Sequence, residues 1–204
     1  MLSLCLVTIY GYSTAHAEHT YFDAVWKWDN SPVVCLDNIP AEDKYMTLRG
    51  AHQWEKALTD YTNSSDWDYQ MILTEGDITG CNIVVQLVDQ VKSKTDGRFL
   101  LGLTVPYLEK DLVVIYIDRD FNGGELYHDT VVHELGHALG IGHRLALTEE
   151  GFISNILSGD IMIPTGKKYL NISKESLDAF IYFNTIENST KYFIPHYGTW
   201  EDLK

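Results

Sequence analysis

Basic side chains are scarce in this chain. Fifteen lysines and arginines face 29 aspartates and glutamates, a formal net charge of −14. After residue 17 the two signs are interspersed rather than blocked, as on a solvated acidic surface. Such a field repels phosphate backbones and anionic membranes, which excludes nucleic acid as a partner class. Past the first residues, no apolar run approaches the roughly 20 residues of a spanning helix, so no stable membrane span is expected. Internal repeats, low-complexity tracts and linkers rich in Pro, Gly or Ser are also missing, and 204 residues without them read as one domain. Core-forming residues are not in short supply. With 45% hydrophobic residues, 5 Trp, 13 Tyr and 7 Phe, disorder is excluded.

The first seventeen residues, MLSLCLVTIYGYSTAHA, carry no charged side chain. They open on an apolar run and close on Ala15-His16-Ala17, which suits a small-residue cleavage site. They read as a secretory signal peptide that lacks the usual positive start, and a buried first strand would use the same letters. The expected product is residues 18–204, exported, extracellular and monomeric. Cys5 leaves with the leader, which leaves Cys35 and Cys81 as an even pair where disulfides persist. A bridge is expected, with two buried free thiols as the alternative.

Along the chain, SPVVCLDNIP reads as a strand. In AEDKYMTLRGAHQWEKALTDYT, Tyr45, Leu48, Ala51, His52, Trp54, Leu58 and Tyr61 recur at mostly three- and four-residue steps, as on an amphipathic helix. His52 has no second ligand type at helical spacing and reads as a packed or surface residue. DYQMIL, CNIVVQLV, RFLLGLTVPY and DLVVIYID are four further strands between turn letters. After the turn DFNGG a helix is expected from about Glu125 to Leu139. A polar connection then leads to Ile161 and to a final helix that Ser173 can cap. The fold class is α/β or α+β, with a mostly parallel, mixed sheet of five strands and three helices.

The stretch HDTVVHELGHALGIGHR, His128 to Arg144, holds four of the eight histidines. Residues four apart on a helix differ by about 40° of rotation and ~6 Å of rise, so His133 and His137 project from one face. Two imidazoles there can grip one metal ion, and zinc suits neutral imidazole nitrogens. Glu134 is rotated too far to be the third ligand but can reach a metal-bound water. A catalytic zinc needs three protein ligands and an open position. His143 supplies the third if the helix stops at Gly140, where a left-handed end costs glycine least, and Gly142 loosens the return; His128 is the rival for that place.

HELGHALGIGH resembles the zinc signature of the metzincin metalloendopeptidases. DIMIP, with Met162, is similar to the methionine-containing turn beneath the metal in that family, near residues 160–164. Pro164 after the methionine is similar to the matrixin (matrix metalloproteinase) catalytic domain, as are the ISKESLDAF helix and the pair LLGLTVPY and DLVVIYIDRD. The likeness spans roughly 32–183. Departures are Arg144 after the third histidine and Glu175-Ser176 where matrixins carry an acidic pair. The inhibitory cysteine motif and the histidines of the second, structural zinc are absent.

The resemblance implies a secreted zinc endopeptidase in which Glu134 is the general base, His133, His137 and His143 hold the metal, and Met162 packs below it. The substrate would be an extended peptide paired with the edge strand near Leu101–Val105. Because the first and third metzincin strands lie side by side, it also implies a bridge between Cys35 and Cys81; an inhibitory thiolate at Cys35 is the rival. The competing classes are a non-catalytic protein-binding module and a zinc amidase acting on a non-protein amide. Asp118, Asp120, Asn122 and Gly123, with Asp129 at the twelfth place, fit a calcium-loop pattern except for its final glutamate. The alternative there is an acidic turn that starts the helix. Sequons stand at Asn63, Asn171 and Asn188.

Overall fold

Period-two alternation in three β-branched runs, VVCLD, IVVQLV and LVVIYID, builds the centre of the sheet that positions everything else. The computed structural model describes residues 19–21, 26–28, 30–67, 70–93, 97–121, 124–143, 145–147, 159–163 and 171–185. The proposed leader 1–17, Asn122, Gly123, Arg144, Pro164 and Asn188 lie outside them. In chain order the elements are β1 (His19–Tyr21), β2 (Val33–Asp37), α1 (Ala41–Thr62), β3 (Gln70–Thr74), β4 (Ile83–Val88) and β5 (Val91–Lys92). There follow β6 (Phe99–Leu100), β7 (Gly102–Tyr107), β8 (Leu112–Asp118), α2 (Gly124–Ala138), β9 (Leu145–Leu147) and α3 (Lys174–Thr185).

Five strands form the main sheet in the order β3-β2-β4-β8-β7. The first four run parallel and β7 is antiparallel to β8. The architecture is therefore mixed α/β. Val34, Leu36, Ile83, Val85, Val113, Ile115 and Ile117 point to one face, where they bury against Trp54 and Leu58 of α1 and Val131, Val132 and Leu135 of α2. The intervening residues Cys35, Val84 and Val114 are buried on the opposite face, as the strand period requires.

Cys35 and Cys81 are joined in a disulfide with their Cα atoms 5.8 Å apart. Cys35 lies opposite Val84 in the parallel β2–β4 pair and Cys81 sits just ahead of β4, so the bridge staples adjacent strands.

Helix α1 has the bounds that its pattern predicts, but its buried stripe is rotated. Asp43, Thr47, Gly50, Ala51, Trp54 and Leu58 face inward. Tyr45 is 70% exposed and Tyr61 38%. Close approach of the two helices selects small residues over large ones here. A Cβ on Gly50 would stand 2.9 Å from Val131 Cγ1, and Thr47 shares a 2.8 Å hydrogen bond with Tyr127. His52 is exposed and pairs with Glu55.

RFLLGLTVPY is not one strand. At Leu101 the chain changes partner: β6 folds back on β5, while β7 pairs with β8 and Leu101 O accepts from Asp118 N. The edge strand is thus Gly102–Tyr107 rather than Leu101–Val105. Pro106, which has no N–H to donate, sits in this edge strand. The antiparallel pair β1–β9 has no counterpart in the sequence reading.

Candidate metal centre

β8 delivers the chain through a short 3-10 turn to α2, which packs against β7 and β8. The helix runs Gly124–Ala138, one residue earlier than expected at each end. It ends in a Schellman turn: Gly140 N donates to His137 O and Ile141 N to Gly136 O, at 2.8 and 3.0 Å. Gly140 holds φ +94°, and a Cβ there would lie 1.9 Å from Trp26 O. The indoles of Trp26 and Trp28 both donate to Ala138 O, at 3.0 and 2.9 Å, capping a carbonyl that the helix leaves orphaned.

This reversal brings His143 back to His133 and His137. The Nε2 atoms of His133 and His143 are 3.2 Å apart, and those of His137 and His133 are 3.1 Å apart. The other ring nitrogens are committed. His133 Nδ1 lies 2.6 Å from Ile161 O and His137 Nδ1 lies 2.7 Å from Ile141 O. A carbonyl oxygen only accepts, so both Nδ1 atoms carry a proton, which leaves Nε2 of each ring as the nitrogen that can offer a lone pair to a metal. Burial, with the neighbouring imidazoles adding to it, keeps protonation of His137 well below its usual range. The same causes lower His143 to about 4.

The three residues can hold a metal ion. Ligands at 2.0–2.1 Å in a tetrahedron stand about 3.3–3.4 Å apart, close to the separations here. His128 does not join them. It is buried one turn and more upstream, with Nδ1 3.1 Å from Asp129 Oδ1. Glu125, His128 and Asp129 form a second group of ligand-type atoms. There Arg49 already pairs with Glu125 at 3.0 Å and supplies the positive charge.

Glu134 is 5% exposed, and burial raises its carboxyl against the opposing pull of His133 and Thr104. Thr104 of β7 donates to Glu134 Oε2 at 2.7 Å.

Met162 is fully buried against α2: a Cβ on Gly136 would stand 2.2 Å from its sulfur and 2.8 Å from Trp54 Cζ2. Asp160, also fully buried, organises this turn. Its Oδ1 accepts from Met162 N at 2.6 Å, and its Oδ2 from Ser173 N and Ser176 Oγ at 3.2 and 3.0 Å. Ser173 caps α3 as expected, accepting from Ser176 N.

Asp118, Asp120 and Asp129 do not gather into a common site among the described residues. The Asp118 oxygens accept from Val91 N and Asp120 N, and Asp129 lies inside α2.

Sequence reasoning missed Gly102, Thr104, Asp160 and the two indoles. Two signals were present. A glycine inside an apolar strand marks a close approach, and an aspartate two residues before a buried turn N–H suits an Asx turn.

No family model matches the chain. No curated protein matches it either.

Proposed function

We propose that this protein is a zinc-dependent endopeptidase of the metzincin type, similar to the matrixin catalytic domain. The observation that carries the reading is the convergence of three Nε2 atoms, two of them on rings whose Nδ1 faces a backbone carbonyl, beside a buried glutamate. Three imidazole nitrogens gathered at this spacing match the ligand separations of a tetrahedral ion, and imidazole suits zinc. His133, His137 and His143 would hold the ion. When bound, zinc polarises a peptide carbonyl and lowers the pKa of a coordinated water to about 7.

Glu134 accepts a proton from the attacking water and returns it to the departing amine nitrogen. Burial raises its proton affinity, which suits a group that must take a proton and give it back. Ile161 O and Ile141 O hold the rings in the tautomer that ligates. Met162 and Gly136 pack the floor of the site. The substrate is an extended peptide, because among the described residues β7 is a sheet edge paired with β8 alone, and it lies against Glu134. Export, with residues 1–17 as leader, belongs to the same reading. The Cys35–Cys81 bridge supports it, since disulfides persist in oxidising compartments. Among the described residues no helix is long and apolar enough to cross a membrane.

Digestion of a mixed peptide library, read by mass spectrometry, tests this. Cleavage inside peptides that stops with a chelator and returns with zinc supports it. Binding without cleavage favours the non-catalytic module, and turnover only of non-protein amides favours the amidase.

A further inference from the structure

A glutamate has three rotatable bonds, and on a helix nothing intrinsic decides where its carboxylate points. Here one face of β7 decides it. Residues 102 and 104 of a strand share a face, and on this one they meet Glu134 in complementary ways. Gly102 leaves room: a Cβ there would stand 2.6 Å from Glu134 Cγ and 2.8 Å from Oε1. Thr104 supplies a donor, its hydroxyl 2.7 Å from Oε2 and 3.0 Å from the main-chain carbonyl of the same residue. The hydroxyl has one hydrogen to give, and the shorter contact is to the carboxylate. With Oε2 engaged, Oε1 is the oxygen left to take a proton.

We propose that Thr104 is the positioning residue for Glu134. It sits in the strand whose free edge would receive the substrate, so it ties the seating of an extended peptide to the direction in which the base faces. The inference rests on the reading of Glu134 as the base. Gly102 and Thr104 act together: a side chain at 102 would displace the carboxylate, and loss of the hydroxyl would leave a buried oxygen without its donor.

Valine replaces threonine with the same shape and no donor, whereas serine keeps the donor. In zinc-loaded full-length protein of matched metal content, Thr104→Val lowers kcat by about 10–100-fold on a quenched-fluorescence peptide that the wild type cuts. Its KM stays within about twofold of wild type, and Thr104→Ser restores most of kcat. A merely structural tether would lower stability and leave kcat of the folded enzyme unchanged.

A second readout needs no activity. In metal-free protein carrying 13C-labelled glutamate, the Glu134 Cδ resonance, assigned by its loss in Glu134→Gln, moves in Thr104→Val and returns in Thr104→Ser. Wild-type kcat in Thr104→Val, or an unmoved Cδ resonance, overturns the proposal. If the wild type cuts no peptide, the endopeptidase reading falls and the carbon signal alone decides the role of Thr104.

Discussion

An imidazole binds a metal through one nitrogen and is aimed by the other, and here the aiming groups are the carbonyls of Ile161 and Ile141. Ile161 owes its place to Asp160, whose carboxylate holds the turn to the start of α3. Asp160→Ala leaves buried donors unpaired at about 1–3 kcal/mol each and lets Ile161 O drift. Zinc affinity, measured by competition with a chelator, should fall about 10–100-fold. Unchanged affinity in a destabilised variant would confine Asp160 to stability. The histidines also give the metal-free protein a pH dependence. His143 is lowered from 6.5 to about 4 in the folded state. Between those values the unfolded chain binds more protons, so stability is full above pH 6.5 and is lost as pH falls toward 4. His137, lowered for the same reasons, acts in the same direction. Urea midpoints of metal-free protein should rise across this window, and a flat profile would contradict the lowered proton affinity of His137 and His143.

At the scale of elements, α2 and its end carry the site. Gly140 is required twice, by a φ of +94° and by the carbonyl of Trp26 at 1.9 Å from any Cβ. Gly140→Ala should cost about 1–3 kcal/mol for the left-handed backbone alone. The clash with Trp26 adds to that and shifts His143, so calorimetry should show a lower Tm and titration a weaker zinc site. A wild-type zinc affinity would mean that the turn does not place the third ligand. The ligand spacing and this glycine were legible because helix geometry and φ > 0 both leave marks in sequence. The stripe on α1 was not, because hydrophobic periodicity sees side-chain size and polarity, whereas Gly50 and Thr47 are buried by how closely a second helix approaches. The break at Leu101 was hidden for a similar reason. A run of β-branched and apolar residues says that a strand is favoured and is silent on which partner each half takes.

For the whole molecule, the strand order brings β7, an edge of the main sheet among the described residues, together with Glu134 and the three histidines. Each of the five runs read as strands contributes one strand to the main sheet, RFLLGLTVPY by its second half only, and alternation along β2, β4 and β8 carries the inward residues. The pair β1–β9 was not legible, since three-residue strands have too few alternations to register. The disulfide joins residues 46 apart across β2 and β4. In the chain-entropy model such a loop contributes about 4 kcal/mol, less any strain. The Cys35→Ser/Cys81→Ser double variant should lose most of that in denaturant unfolding while the zinc site of the folded fraction keeps its affinity. A cysteine that acted on the metal would instead change activity on alkylation. The central claim is that the histidines hold zinc and Glu134 moves the proton. Its most direct test is Glu134→Ala compared with wild type at equal zinc content, about one ion per chain on the three-ligand arrangement, with peptide-bond cleavage as the readout. Wild-type cleavage with none by the zinc-loaded variant is the predicted result. Cleavage by Glu134→Ala near the wild-type rate would contradict the claim.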